Sequence, residues 1–252
     1  MLEINQIHHG DCLELMKEIP DNSIDCIITD PPYNISQKDF NVDRSKCKSK
    51  SMRRKSKLVY DFGEWDNKSR KDFLEFTYSW IKECCRVLKD GGTIISFFDN
   101  KEISYLGWVS KEFGIKTRAI FSWCKSNPVP SFKKVNYLSS IELIWIGSKG
   151  EKTWTFNFKQ QKEMRNFMIT ANKSAYGETK HPTEKPKELI NHLLQIHTNV
   201  GDLVLDIFSG SGTTAVCCKE LGRIFIGIEK EREYFEMAQK RLSQNTLMEV
   251  KQ

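Results

Sequence analysis

The chain is poor in the residues that build metal sites and covalent staples. It has five histidines in 252 residues, and its eight cysteines (Cys12, Cys26, Cys47, Cys84, Cys85, Cys124, Cys217 and Cys218) include no Cys-x-x-Cys pair. Two of the pairs are adjacent in sequence, and most of the thiols sit in apolar runs. That pattern argues against a zinc site and a disulfide framework, and predicts reduced, buried thiols and no metal. Apolar runs of the roughly 20 residues needed to span a bilayer are lacking. Residues 1–10 have neither the basic start nor the apolar stretch of a secretory signal. The expectation is a cytoplasmic protein without a membrane partner. No internal repeat is visible.

What is present is the composition of a soluble α/β domain, with 39% hydrophobic and 29% charged residues. The formal net charge of +6 is compatible with a nucleic-acid partner without proving one. Apolar patterning alternates strand and helix. Strands are predicted at Ile4–His8, Ile24–Thr29, Thr93–Phe98, Leu203–Ile207 and Ile224–Ile228. Helices are predicted at Cys12–Ile19, Lys71–Leu88, Ile103–Phe113, Pro186–His197, Thr213–Leu221 and Glu231–Leu242, with Asp90-Gly91-Gly92 closing the second. Ala119–Cys124 and Ile141–Ile146 read as an antiparallel pair at one edge. The fold class that follows is a doubly wound, Rossmann-like, mostly parallel sheet with an antiparallel edge strand.

The run Asp30-Pro31-Pro32-Tyr33 follows the buried strand Ile24–Thr29. In open α/β sheets, ligands bind just past the carboxyl ends of strands. Two prolines remove two N–H donors and leave the carbonyls of Asp30 and Pro31 free to accept. The Asp30 carboxylate adds another acceptor, and Tyr33 a flat face. Such a pocket suits a planar amine on a nucleobase. The bland alternative is a Pro-Pro turn with an Asp cap and a core tyrosine.

The strand Leu203–Ile207 runs into Asp206-Ile207-Phe208-Ser209-Gly210-Ser211-Gly212-Thr213-Thr214-Ala215, where a helix opens. Gly210, Gly212 and Ala215 give a G-x-G-x-x-A spacing, and glycines at a strand-to-helix turn let a ligand approach the backbone. Glu229 ends the next strand, where a carboxylate can accept both hydroxyls of a ribose. The pattern alone fits S-adenosylmethionine or a dinucleotide. Its place in the last quarter of the chain, and the amine pocket upstream, favour the methyl donor over a nicotinamide.

Two segments do not fit the sheet. Residues 37–60 are densely basic, with Lys48, Arg53, Arg54 and Lys55 at the centre. They read as a phosphate-gripping arm or as a solvated loop. Residues 126–180 interleave cations such as Lys133 and Lys134 with amides and aromatics, a composition that can read base edges and phosphates. Within it, Trp154, Phe156 and Phe158 alternate like one face of a strand and read as packing.

With these motifs in place, the chain resembles the β group of DNA amino-methyltransferases of the restriction-modification type. Asp30-Pro31-Pro32-Tyr33 is similar to their catalytic motif, and Phe208–Thr214 to their S-adenosylmethionine motif. His181-Pro182-Thr183-Glu184-Lys185-Pro186 is similar to the segment that precedes the cofactor motif there. The order, catalytic motif first and cofactor motif last, is that of the permuted β group. The resemblance covers nearly the whole chain and implies a single methyltransferase domain over 1–252, with an inserted basic loop and a target-recognition region at 126–180. It implies catalytic roles for Asp30, Pro31, Pro32 and Tyr33. It implies cofactor contacts from Asp30, His181, Pro182, Thr183, Lys185, Asp206, Phe208, Ser209, Gly210, Ser211, Gly212, Thr213, Thr214 and Glu229. It also places Asp11 and Cys12 near the cofactor's adenine, although Asp11 alone reads only as a helix N-cap. The Asp of the catalytic motif is typical of adenine-N6 enzymes, with cytosine-N4 methylation as the alternative. Double-stranded DNA is the implied partner. A homodimer and a cognate restriction endonuclease come with the resemblance, and no sequence feature carries either.

Overall fold

A computed structural model describes residues 1–33, 69–128, 134–172 and 184–249. The first strand, β1 (Gln6–His9), leads through Gly10 to a single helical turn, α1 (Cys12–Leu15), and a 3-10 turn at Met16–Glu18. Asp11 caps α1, its Oδ1 accepting from the Leu13 N–H at 3.0 Å. Strand β2 (Ile24–Thr29) is apolar almost throughout, as a strand covered on both faces must be. Helix α2 (Arg70–Val87) is capped by Ser69 and buries Phe73, Trp80, Ile81 and Cys84 on one stripe.

Strand β3 (Leu88–Phe98) starts directly at the end of α2. Asp90-Gly91-Gly92 therefore does not close the helix; it lies inside β3 as an irregularity. Ile24 pairs with Leu88, yet Cys26 pairs with Thr93, so β3 carries extra residues against β2. Gly91 has φ +85°, which a side chain would resist. The expected helix stop at Asp90-Gly91-Gly92 is thus overturned, since the helix has already ended at Val87.

Helix α3 (Ile103–Glu112) is followed by β4 (Ile115–Lys125), β5 (Ile141–Lys149) and a short strand, β6 (Phe167–Thr170). The remaining elements are α4 (Lys187–His197), β7 (Leu203–Asp206), α5 (Thr213–Glu220), β8 (Ile224–Glu229) and α6 (Arg232–Glu249). All eight strands form one sheet in the order β1-β8-β7-β2-β3-β5-β4-β6. Only β5 runs against its neighbours, pairing antiparallel with both β3 and β4. It lies further in than an edge, because β6 adds parallel to β4 and takes the outer position. Four residues, alternating only weakly, gave β6 no readable sequence signal.

Residues 153–160 form no strand, so Trp154, Phe156 and Phe158 are not one strand face. Trp154 lies beneath the Arg118 guanidinium, 3.7 Å from ring centroid to Cζ. Phe156 meets the His197 ring edge-on, and Phe158 is exposed. Asn157 holds this stretch in place, its Nδ2 donating to the Gln195 and Thr198 carbonyls at the end of α4.

Two apolar layers sandwich the sheet. One packs α1, α2 and α3 around Trp80, Ile81, Phe98 and Leu106. The other packs α4, α5 and α6 around Ile190, Leu193, Cys217 and Ala238. The β2–α2–β3 unit thus covers one face and the β7–α5–β8 unit the other. Winding runs outward from the β7–β2 boundary in both directions, a topological switch point. The described cysteines form no disulfide, and all but Cys124 are buried. No helix among the described residues is long and apolar enough to cross a membrane.

Candidate active site

The switch point opens into a cavity of about 280 Å³ at the carboxyl ends of the parallel strands. Gly10 and Asp11 reach it from β1, Thr29 and Asp30 from β2, Asp206–Ser211 from β7, and Glu229 from β8. Residues as far apart as 30 and 206 meet because β2 and β7 are neighbours, with Cys26 opposite Val204.

Asp30 begins the acid-proline run. Its Oδ1 accepts from the Tyr33 hydroxyl at 2.5 Å, and its Oδ2 from the Lys185 ammonium at 2.5 Å. Burial pushes the Asp30 carboxyl above the ordinary carboxylate range, and Lys185 opposes that push. Burial and the Asp30 charge hold the Tyr33 hydroxyl well above its usual pKa, so it stays a donor. Pro32 walls the cavity beside Asp30, and the Tyr33 ring meets Phe98 edge-on.

Lys185 does not stop at Asp30. Its Nζ lies 3.3 Å from Oε2 of Glu142 on β5, and Glu142 Oε1 is 2.6 Å from Lys125 Nζ on β4. The ammonium also faces the Phe97 and Tyr33 rings at 5.0 and 5.6 Å. Burial works against the Lys185 charge, but the two carboxylates outweigh it and raise its pKa. Burial likewise disfavours ionised Glu142, and Lys185 with Lys125 overcomes it, lowering its pKa.

At the glycine turn, Gly212 caps α5 in the left-handed region at φ +75°. A Cβ there would lie 3.0 Å from that of Ala238 and 3.2 Å from Ile7 Cδ1. Its glycine is required by the turn and by packing. Among the expected cofactor residues that the structure describes, Gly212 is the exception in not lining the cavity. Asp206 accepts from Thr29 Oγ1 at 3.0 Å and from the Phe208 N–H at 3.2 Å, and burial raises its pKa to about 6. Glu229 accepts from the Gly210 and Glu231 N–H groups at 2.7 and 2.8 Å. Both Asp206 bonds fall on Oδ1, whereas each Glu229 oxygen accepts one of its two and keeps a lone pair for a further donor. Asp11, besides capping α1, receives Lys230 at 3.1 Å.

Sequence reasoning missed three contributors. Glu142 is a lone acid in the run Ile141–Ile146, and that position was its signal. Lys125 ends the strand opposite. Arg241 of α6 pairs with Glu184 at 2.9 Å, both nearly inaccessible, and donates to Thr213 Oγ1 at 3.0 Å. It thereby ties the glycine turn to the segment before α4, and no sequence pattern marks it. Lys134 is exposed, with φ +53°. Lys48, Arg53, Arg54, Lys55, Lys133, His181, Pro182 and Thr183 lie outside the described residues.

Residues 24–240 match the N6/N4 methyltransferase family, described as DNA methylases. The chain belongs to this family of DNA methylases. It is 34% identical over 252 residues to the type II methyltransferase M2.MboI of Moraxella bovis, covering 95% of this chain and 88% of that one. It is 33% identical over 264 residues to the type II methyltransferase M.HinfI of Haemophilus influenzae, covering 95% and 68%. Among solved structures, the M1.HpyAVI–SAM complex superposes with a TM-score of 0.71 at 32% identity, covering 94% of this chain and 98% of that one. The fold is shared more widely, as with the cytosine-N4-specific PvuII methyltransferase at 21% identity and TM-score 0.71. The methylase chain accordingly joins an acid-proline run to a nucleoside-type glycine turn in one cavity.

Proposed function

We propose that this DNA methylase transfers a methyl group from S-adenosylmethionine to the N6 amine of adenine in duplex DNA, at a specific sequence. The observation that carries the reading is the placement of Asp30 and the glycine turn on adjacent strand ends of one cavity. An amine acceptor and an adenosine-type cradle then sit within reach of each other.

The cavity suits the cofactor in its polarity as well as its position. Glu229 and Asp11 offer carboxylates at one end, and Phe208 and Tyr234 offer aromatic surface. When bound, S-adenosylmethionine supplies a methyl group activated by a sulfonium sulfur.

Adenine N6 is a weak nucleophile because its lone pair is delocalised into the ring, and it is out of reach inside the duplex stack. In our reading the base leaves the stack and its ring is held by Tyr33. The N6 hydrogens bond the Asp30 carboxylate and the Pro31 carbonyl. These acceptors favour the positive charge that grows on nitrogen and so act chiefly in the transition state. They also aim the lone pair along the line of transfer. The nitrogen–methyl bond forms as the methyl–sulfur bond breaks, and the spare N6 proton leaves to Asp30 or to water. The Tyr33 hydroxyl takes one lone pair of Oδ1 in the structure, so the base shares that oxygen with it or displaces it.

DNA would be gripped by the basic segment with Lys48, Arg53, Arg54 and Lys55, and read by residues 126–180. The described part of that region supports this. β4 runs parallel to β2 and β3 in direction, so residues 134–140 follow its carboxyl end on the Asp30 side of the sheet. Lys134 and Tyr137 are exposed there.

The test is to incubate the protein with labelled S-adenosylmethionine and unmethylated genomic DNA, digest to nucleosides and chromatograph the label. Label in N6-methyladenine is the expected result. Label in N4-methylcytosine would overturn the base assignment, and none in either would overturn the DNA substrate.

A further inference from the structure

We infer that Lys185 and Glu142 are positioning residues for catalysis, holding Asp30 ionised and aimed, and that Lys185 serves the catalytic carboxylate rather than the cofactor. The inference rests on the methyltransfer reading above and deepens it.

Geometry carries the argument. The Lys185 ammonium has 8% side-chain exposure and sits between two carboxylates, 2.5 Å from Asp30 and 3.3 Å from Glu142. A buried ammonium persists only where acceptors surround it. Glu142 in turn is held by Lys125 at 2.6 Å. The row Asp30–Lys185–Glu142–Lys125 alternates in sign and sums to zero. It therefore costs less than any member buried alone. The Asp30 oxygen that Lys185 fixes cannot rotate, which leaves the carboxylate in one orientation toward the amine site.

The row also sets the charge of Asp30. Burial favours the neutral acid, which can accept hydrogens from an amine at one oxygen less well. Lys185 pulls toward ionisation, and Glu142 pushes back. Other groups face Asp30 too: the Tyr33 hydroxyl from its own loop, and Asp206 from β7. Neither carries a positive charge, so among the described residues Lys185 is the cation that draws Asp30 toward ionisation against its burial. Removing Lys185 and removing Glu142 should therefore move the acid limb of the pH–rate profile in opposite directions. A merely structural role would move neither.

The experiment is steady-state methyl transfer to duplex DNA against pH, with rates normalised to cofactor-binding protein so that misfolded protein does not count. Wild type is compared with Lys185→Met, Lys185→Arg and Glu142→Gln. Lys185→Met should lose about 10²-fold in kcat, as loss of one preorganised electrostatic contact does. Its acid limb should move to higher pH, and the KM for S-adenosylmethionine should stay put. Lys185→Arg should restore the limb toward wild type. Glu142→Gln should move the limb to lower pH. A loss that appears in the cofactor KM, or limbs that stay fixed in both Lys185→Met and Glu142→Gln, would overturn the inference. Wild type that binds cofactor but methylates no DNA would instead overturn the function it rests on.

Discussion

At Tyr33 the structure adds something that the sequence could not show. From sequence, its ring is a platform for a base. In the structure its hydroxyl is also bonded to Asp30, the group meant to receive the amine. The two uses are separable. Tyr33→Ala removes the platform and should reduce kcat/KM about 10- to 100-fold, the range of base-stacking energies. Tyr33→Phe keeps the ring and frees Asp30 Oδ1, so it should fall much less. Steady-state methylation of one duplex by both variants checks this, and equal losses would assign the hydroxyl a chemical role. Asp30 was legible because an acid followed by two prolines is a backbone statement as well as a chemical one. Glu142 and Lys185 were not legible as a pair. They lie on different elements, and only the packing of β5 against the segment before α4 brings them together.

Among the elements, most of those long enough to show a period were readable, although α6 runs on to Glu249, seven residues past its expected end at Leu242. β2 was read at its observed bounds, and α2, α4 and α5 to within a residue or so at each end, because apolar spacing reports burial directly. Short or irregular pieces were not. β6 owes its existence to the open edge of β4 rather than to its own residues. The aromatics at 154–158 alternate as strands do, but Trp154 and Phe156 are used locally, against Arg118 and His197, and Phe158 is exposed. The glycine turn joins both lessons, since its spacing announces a ligand while one of its glycines answers to packing. Gly212→Ala should destabilise the protein by about 1–3 kcal/mol, from the strained left-handed backbone and the contact with Ala238. Urea unfolding measures it. Unchanged stability would mean that the turn relaxes and Gly212 is kept for the ligand instead.

Across the whole molecule, two buried groups oppose each other as pH changes. Burial lowers the His197 pKa to about 4, so the unfolded chain binds more protons below the ordinary histidine value. Its neutral ring thus contributes stability above pH 6.5 that is lost as pH falls toward 4. Asp206, raised to about 6, does the reverse: its stability is present at low pH and is lost as pH rises through 6. Wild type should therefore show less pH dependence from these two groups than either alone would give. His197→Gln removes one side of the balance. Relative to wild type, the variant should gain about 2 kcal/mol on going from pH 7 to pH 5. Denaturant titrations at the two pH values test it, and a constant difference would mean that His197 titrates alike in the folded and unfolded chain.

The strand order has a consequence for the chain as it is made. β2 is among the first strands to be synthesised, but one of its two hydrogen-bonded neighbours is β7, at Leu203–Asp206. Until that strand leaves the ribosome, an apolar strand waits with one edge unpaired. A chain stopped short of residue 203 never closes that edge. Truncated products should accordingly be sticky rather than merely inactive, and the interval of exposure during translation is set by the long stretch of chain between the two strands, Leu203 lying 178 positions after Asp25.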